Sequence, residues 1–191
     1  MKFHAAEFSG VYDITLTPHN DDRGFFARIF CPDEFAKAGI VFDSLQINVS
    51  RNDRKYTLRG MHWQDAPFAE AKVVRCLRGR IHDVIVDLRP DSATYRKWIA
   101  RELSAQAANA LFIPEGFAHG FLTLEDECDV FYQMGRMYEP GKARGFRFDD
   151  PAFGIKWPHT PAVIGKADLG WSAFTLNERH PGRQRRSGTV L

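Results

Sequence analysis

The residues of this chain best suited to chemistry fall in four places. His62 lies inside Leu58-Arg59-Gly60-Met61-His62-Trp63-Gln64, Lys72 inside Glu70-Ala71-Lys72-Val73-Val74-Arg75, His119 inside Gly116-Phe117-Ala118-His119-Gly120-Phe121, and Tyr132 inside Val130-Phe131-Tyr132-Gln133. Together they offer a base near neutral pH, a cation, a second imidazole and a weak acid. Proton chemistry next to a ketone needs that set: a base for a carbon-bound hydrogen, a positive donor for the enolate oxygen, and an acid to return a proton.

Each residue alone also has a plainer reading. His62 by itself is as readily a hydrogen-bonded core or rim residue, and Tyr132 a core aromatic of a strand. Lys72 shares a strand face with Val74 and Cys76, and spacing does not decide between an exposed lysine and a pocket cation. Pro114, Gly116 and Gly120 could simply shape a turn around His119. Arg23 and Arg59 each adjoin a glycine and could grip a diphosphate through forked contacts, or equally make surface ion pairs. Tyr138, just before Pro140-Gly141, could stack on a sugar or a base.

Two other chemistries fit the spacing poorly. A metal held in a small barrel expects histidines in a His-x-His pair with a carboxylate, and here His62 is followed by Trp63 and Gln64, while His82, His119 and His159 stand apart. No metal is expected. Cys76 and Cys128 lie in apolar strand patterns where a thiol stays protonated, which disfavours a Cys–His nucleophile. With Cys31 they make an odd, widely spaced set of three that reads as buried reduced thiols.

Short runs of β-branched and aromatic residues bounded by Gly, Pro and Asp must position these groups. They recur from Val11-Tyr12-Asp13-Ile14-Thr15 through the paired run Val73–Pro90 to Cys128–Met134, and predict an all-β barrel or double-sheet sandwich. One short helix is predicted at Pro32–Ala38, with proline in its first turn and Gly39 as its stop, and a further turn or two after Pro158. Arg78-Gly79-Arg80 predicts a tight turn, and Gly116 and Gly120 predict turns or close backbone approach. From Ile81 to Leu88 neither alternating face is cleanly polar, so one face should be core and the other a pocket or subunit contact.

A chain of 191 residues with no repeat or linker reads as a single domain over 1–191. A net charge of +2 does not predict nucleic-acid binding, and Arg179, Arg183, Arg185 and Arg186 read as a flexible basic tail over 179–191. No window matches the ~18 apolar residues of a membrane span, and the start lacks the pattern of a secretory signal, which predicts a cytoplasmic protein.

Taken in order, Asp21–Phe30, Leu45–Ser50, Leu58–Gln64, Lys72–Tyr95, Ile113–Leu124, Tyr132–Tyr138 and Asp149–Pro158 resemble the dTDP-4-dehydrorhamnose 3,5-epimerase family over nearly the whole chain. The resemblance implies a metal-independent, cofactor-free cupin-type jelly roll that forms homodimers and inverts C3 and C5 of a nucleotide-diphospho-4-keto-6-deoxyhexose. It further implies His62 as the base, Lys72 as the holder of the enolate oxygen, Tyr132 as the proton donor and Asp168 as the partner of the base. Arg23, Gln46, Asn48, Arg59, His119 and Tyr138 fall on substrate-binding positions, with Arg23 reaching across the dimer. The chain departs from the family pattern at Arg28, Ile47, Ala143 and Gly165, where an acidic residue, Asp, Glu and Ser are common. Alternatives are a C3-only or C5-only epimerase on a different nucleotide sugar, or a sugar-nucleotide-binding barrel without catalysis.

Overall fold

In the computed structural model, which describes residues 1–174, two six-stranded layers of mostly antiparallel strands face each other. The first sheet runs β1 (Lys2–Ala5), β2 (Tyr12–Thr15), β10 (Asn109–Ile113), β7 (Lys72–Arg78), β12 (Cys128–Met134) and β5 (Gln46–Asn52). The second runs β13 (Ala143–Gly145), β6 (Thr57–Gln64), β11 (Phe117–Thr123), β8 (Arg80–Asp87) and β9 (Trp98–Ser104), with β14 (Val163–Ile164) also on β6. A hairpin of β3 (His19–Asp21) and β4 (Gly24–Phe26) stands apart from both. Neighbours distant in sequence, such as β7 beside β12 and β6 beside β11, give the wound topology of a jelly roll. The basic tail from Arg179 lies outside the described residues.

Three apolar clusters explain why so few strands alternate cleanly. Val74, Ile81, Ile85, Leu111, Phe121 and Val130 fill the space between the sheets. Met61, Val84, Val86 and Leu88 point outward from the second sheet, where Phe146, Phe153, Trp157 and Phe174 cover them. Outside the first sheet, Ile14, Val73 and Phe112 are covered by Phe35 and Phe42. The second face of β8 is therefore packed under the chain's own later segments, not left for a pocket or a subunit contact.

Helix α1 (Pro32–Lys37) exists to seal that first sheet. Proline sits in its first turn, where a missing N–H costs nothing, and Gly39 takes a φ of +78° just beyond its end. Its buried Phe35 packs edge-on to Phe112 at 6.2 Å between ring centroids. Cys31 precedes this helix and is half-buried, whereas Cys76 and Cys128 are buried as expected.

The expected turn at Gly79 joins β7 to β8 with a φ of +75°. Gly120 serves a different purpose. The β6·β11 register shifts between His119 and Phe121, and Gly60 and Gly120 come so close that a Cβ on Gly120 would lie 2.6 Å from Met61 Sδ and 2.8 Å from the Arg59 carbonyl. This bulge sets His62 directly opposite His119 on neighbouring strands. Gly120→Ala is expected to destabilise the fold by about 2–3 kcal/mol through overpacking, read as a lower midpoint in urea unfolding, because the atoms it meets are mostly backbone.

Candidate active site

The two facing sheets enclose a cavity of about 460 Å³ whose walls carry most of the polar groups singled out above. On the second sheet, β6 contributes His62 and Arg59, and β11 contributes His119. On the first sheet, β7 contributes Lys72, β12 contributes Tyr132, and β5 contributes Asn48 and Ser50. Tyr132 lies opposite Val74 and Asn48 in register, so Lys72, two residues before Val74, shares its inward face. The imidazoles thus occupy one wall, and the ammonium and phenol the other.

Chain topology delivers Asp168 to His62. Residues Val163 and Ile164 run parallel to the start of β6, and Ala143, Arg144 and Gly145 pair antiparallel with its far half. Gly165 then releases the chain into α2 (Lys166–Leu169), which places Asp168 above the gap between those two pairings. Asp168 Oδ1 lies 2.6 Å from His62 Nε2, and its Oδ2 accepts the Gly60 backbone N–H at 3.3 Å. Burial acts to raise the pKa of this carboxyl, but the hydrogen bond and charge of His62 and the donor Gly60 outweigh it and hold Asp168 below the usual carboxylate range. An ionised carboxylate can only accept, so His62 Nε2 donates this bond, which in a neutral ring leaves Nδ1 as the acceptor.

A second imidazole is held the same way. His119 Nε2 stands 2.6 Å from Oδ1 of Asp83, a fully buried β8 residue whose Oδ2 has no hydrogen-bond partner among the described residues. The His119 ring meets Tyr132 edge-on, with centroids 6.0 Å apart. Burial, and then the charge of Asp83, raise the Tyr132 phenol well above its ordinary pKa, so it remains protonated throughout the neutral range.

Lys72 is only 4% exposed, and its Nζ pairs with Glu70 Oε1 at 2.8 Å. Glu70 Oε2 accepts from Gln64 Nε2 at 2.7 Å, and Gln64 Oε1 accepts the Glu139 N–H at 2.8 Å. A buried ammonium needs such a partner, since an unpaired charge there would cost several kcal/mol. The chain of bonds also ties Lys72 to the segment bearing Tyr138.

Seven expected residues line the cavity: Asn48, Arg59, His62, Lys72, His119, Tyr132 and Asp168. Gln46 and Tyr138 lie at its rim, where Gln46 Nε2 donates to Asn48 Oδ1 at 3.2 Å and Gln46 Oε1 accepts the Tyr138 N–H at 3.0 Å. Arg23 does not join them; it projects from the β3–β4 turn with its side chain 90% exposed, paired to Asp21. Arg28, one of the departures from the family pattern, is paired with Glu34 at 3.0 Å. Sequence reasoning missed Glu70 and Asp83 as partners. Asp83 had a signal, an acid between Ile81 and Ile85 on one face of β8, and Glu70 stood two residues before Lys72.

A jelly roll with imidazole–carboxylate pairs on one wall and a buried lysine beside a half-buried tyrosine on the other belongs to the cupin-type sugar-nucleotide epimerases. The chain is a member of the dTDP-4-dehydrorhamnose 3,5-epimerase family, whose model matches residues 5–175. It is 39% identical over 169 residues to dTDP-4-dehydrorhamnose 3,5-epimerase of Sinorhizobium fredii, covering 88% of this chain and 87% of that protein. The crystal structure of the Bacillus anthracis enzyme with TDP and PPi bound superposes with a TM-score of 0.88 at 33% identity, over 91% of this chain and 99% of that one. A 3'-monoepimerase from Streptomyces bikiniensis in complex with dTDP-quinovose gives a TM-score of 0.83 at 28% identity, over 89% and 86% of the two chains.

Because the Asp168 pKa is depressed, its bond to His62 stabilises the fold above the ordinary carboxylate value and is lost as pH falls through the lowered one. Asp168→Asn is therefore expected to unfold about 1.5–3 kcal/mol more easily than wild type at neutral pH, with the gap closing on acidification below the carboxylate range. Urea unfolding across pH checks it, and a pH-independent gap would contradict it.

Proposed function

We propose that this chain inverts C3 and C5 of a nucleotide-diphospho-4-keto-6-deoxyhexose, with dTDP-4-dehydro-6-deoxy-D-glucose as the substrate. The observation that carries this reading is the placement of His62 and Tyr132 on opposite walls of one cavity, with Lys72 beside the phenol. Family membership supports the substrate class, as do the nucleotide and sugar-nucleotide bound to the related structures.

In this reading the 4-keto group acidifies the hydrogens on C3 and C5. His62 Nδ1, unprotonated because Asp168 holds the proton on Nε2, takes one of them. The C–H electron pair moves into the ring bond to C4, and the charge on the C4 oxygen is met by the Lys72 ammonium. Tyr132, kept protonated by burial, gives its proton to the same carbon from the other side. The configuration inverts, no electron leaves the sugar, and the proton on His62 returns through solvent to the phenolate. No step calls for a metal or a nicotinamide, since the enolate charge has its cation in Lys72.

The diphosphate and nucleoside would lie toward Arg59, Gln46, Asn48 and Tyr138, where the cavity opens. His119, fixed by Asp83, would meet the sugar from the His62 wall. Arg23 stands far from its own cavity on a hairpin that also exposes Phe25 at 60% and Phe26 at 77%, which supports a homodimer in which this arm serves the partner's site. The likeness to the 3'-monoepimerase favours one second reading, inversion at C3 alone.

Proton NMR of dTDP-4-keto-6-deoxyglucose in heavy water checks the proposal, because each abstraction exchanges a carbon-bound hydrogen with solvent. Loss of both the C3 and C5 signals, unchanged by a chelator, is the expected outcome. Loss of the C3 signal alone would establish the mono-epimerase reading. Binding without any exchange would leave a sugar-nucleotide-binding barrel, and inhibition by the chelator would contradict the metal-free route.

A further inference from the structure

Helix α2 is too short to be stable by itself, with four residues and no side-chain cap at its N-terminus. Yet it must hold Asp168 within 2.6 Å of His62. The Gly60 N–H and a bond from Arg147 Nη1 to the Leu169 carbonyl at 3.0 Å are two of its anchors. Trp171, two residues past the helix, is a third and larger one.

The Trp171 indole lies flat against the backbone of Gly145, so closely that any Cβ on Gly145 would overlap the ring. Gly145 is the β13 residue paired with His62 in the β6·β13 register. The indole also meets the His62 ring edge-on, with centroids 6.3 Å apart. Its Nε1 is buried and completes no hydrogen bond of full geometry among the described residues, yet it is close enough to the Asp168 carboxylate to help lower that group's pKa. A buried N–H of this kind is costly unless something nearby uses it. One aromatic side chain thus sits on the strand paired with β6, meets the ring of the base, and acts on the carboxylate of its partner.

We infer that Trp171 is a positioning residue: seated on Gly145, its indole clamps α2 so that Asp168 stays on His62 Nε2. Gly145 is the reciprocal half of the device, kept without a side chain so that the ring can reach its seat. The inference rests on His62 being the base of the proposed epimerase and Asp168 the partner that orients it.

The test compares wild type with Trp171→Ala, Trp171→Phe, Gly145→Ala and the double variant Gly145→Ala/Trp171→Ala. Two signals are read: solvent-deuterium exchange into dTDP-4-keto-6-deoxyglucose, and the downfield proton resonance of the short His62–Asp168 hydrogen bond in the sugar-free protein. Trp171→Ala and Gly145→Ala should each lower kcat about tenfold or more with KM within about twofold, and the resonance should be lost to exchange with water. Trp171→Phe keeps a ring on Gly145 and should retain the resonance and at least a third of kcat. The double variant should be no worse than Trp171→Ala, because both single changes remove one contact.

Folded Trp171→Ala with wild-type kcat and an intact resonance would overturn the inference, and so would a fall in kcat that leaves the resonance untouched. Should Trp171→Ala fail to fold, Gly145→Ala decides by the same two signals. If wild type itself shows no exchange, the catalytic reading fails separately, and the resonance alone then decides whether Trp171 positions the pair.

Discussion

Everything in the cavity depends on charged or hydrogen-bonded groups being held in place against a largely apolar barrel. The 2.6 Å contact between Asp168 and His62 is the clearest case. It joins residues 106 positions apart and fixes which ring nitrogen donates to the carboxylate. The same device recurs at Asp83 and His119, and a third pairing, Glu70 with Lys72, holds the cation on the opposite wall. Each carboxylate lies outside the role of acid or base in the proposed reaction. Each sets the orientation of a group that has such a role.

The barrel supplies the other constraint, a fixed separation between walls. Strands β6 and β11 bear the imidazoles because the Gly60–Gly120 approach lets the two strands bulge and still pair His62 with His119. Strands β7 and β12 bear Lys72 and Tyr132 because Val74 pairs with Tyr132. The proposed reaction asks for a base and an acid on opposite faces of one carbon, and the two facing sheets carry His62 and Tyr132 on opposite walls of the cavity. The layers stay rigid because both outer faces are also covered, by α1 on one side and by the Phe146, Phe153 and Phe174 cluster on the other.

Much of this was legible in the sequence. Turn residues and β-branched runs were enough for the strands, and Pro32 with Gly39 for the helix, since these signals are local. His62, Lys72, His119 and Tyr132 were readable as a set of chemical types, but only their order along the chain, through its family resemblance, gave them a common site. What local pattern cannot carry is pairing between distant residues. Nothing near Asp83 announces His119, and nothing near Gly145 announces the indole of Trp171. The outward face of β8 was misread for the same reason: its cover comes from a segment about sixty residues later, which no alternation rule can see.

The claim at the centre of this account is that proton removal and proton return use separate groups on opposite walls. Tyr132→Phe in heavy water, with deuterium exchange and inversion followed in the same sample, tests it most directly. If His62 abstracts and Tyr132 donates, exchange at C3 and C5 persists at a reduced rate while inversion falls far more steeply, because the carbanion is reprotonated from the face it left. Full inversion by Tyr132→Phe, at the same rate as exchange, would contradict the assignment of the two walls.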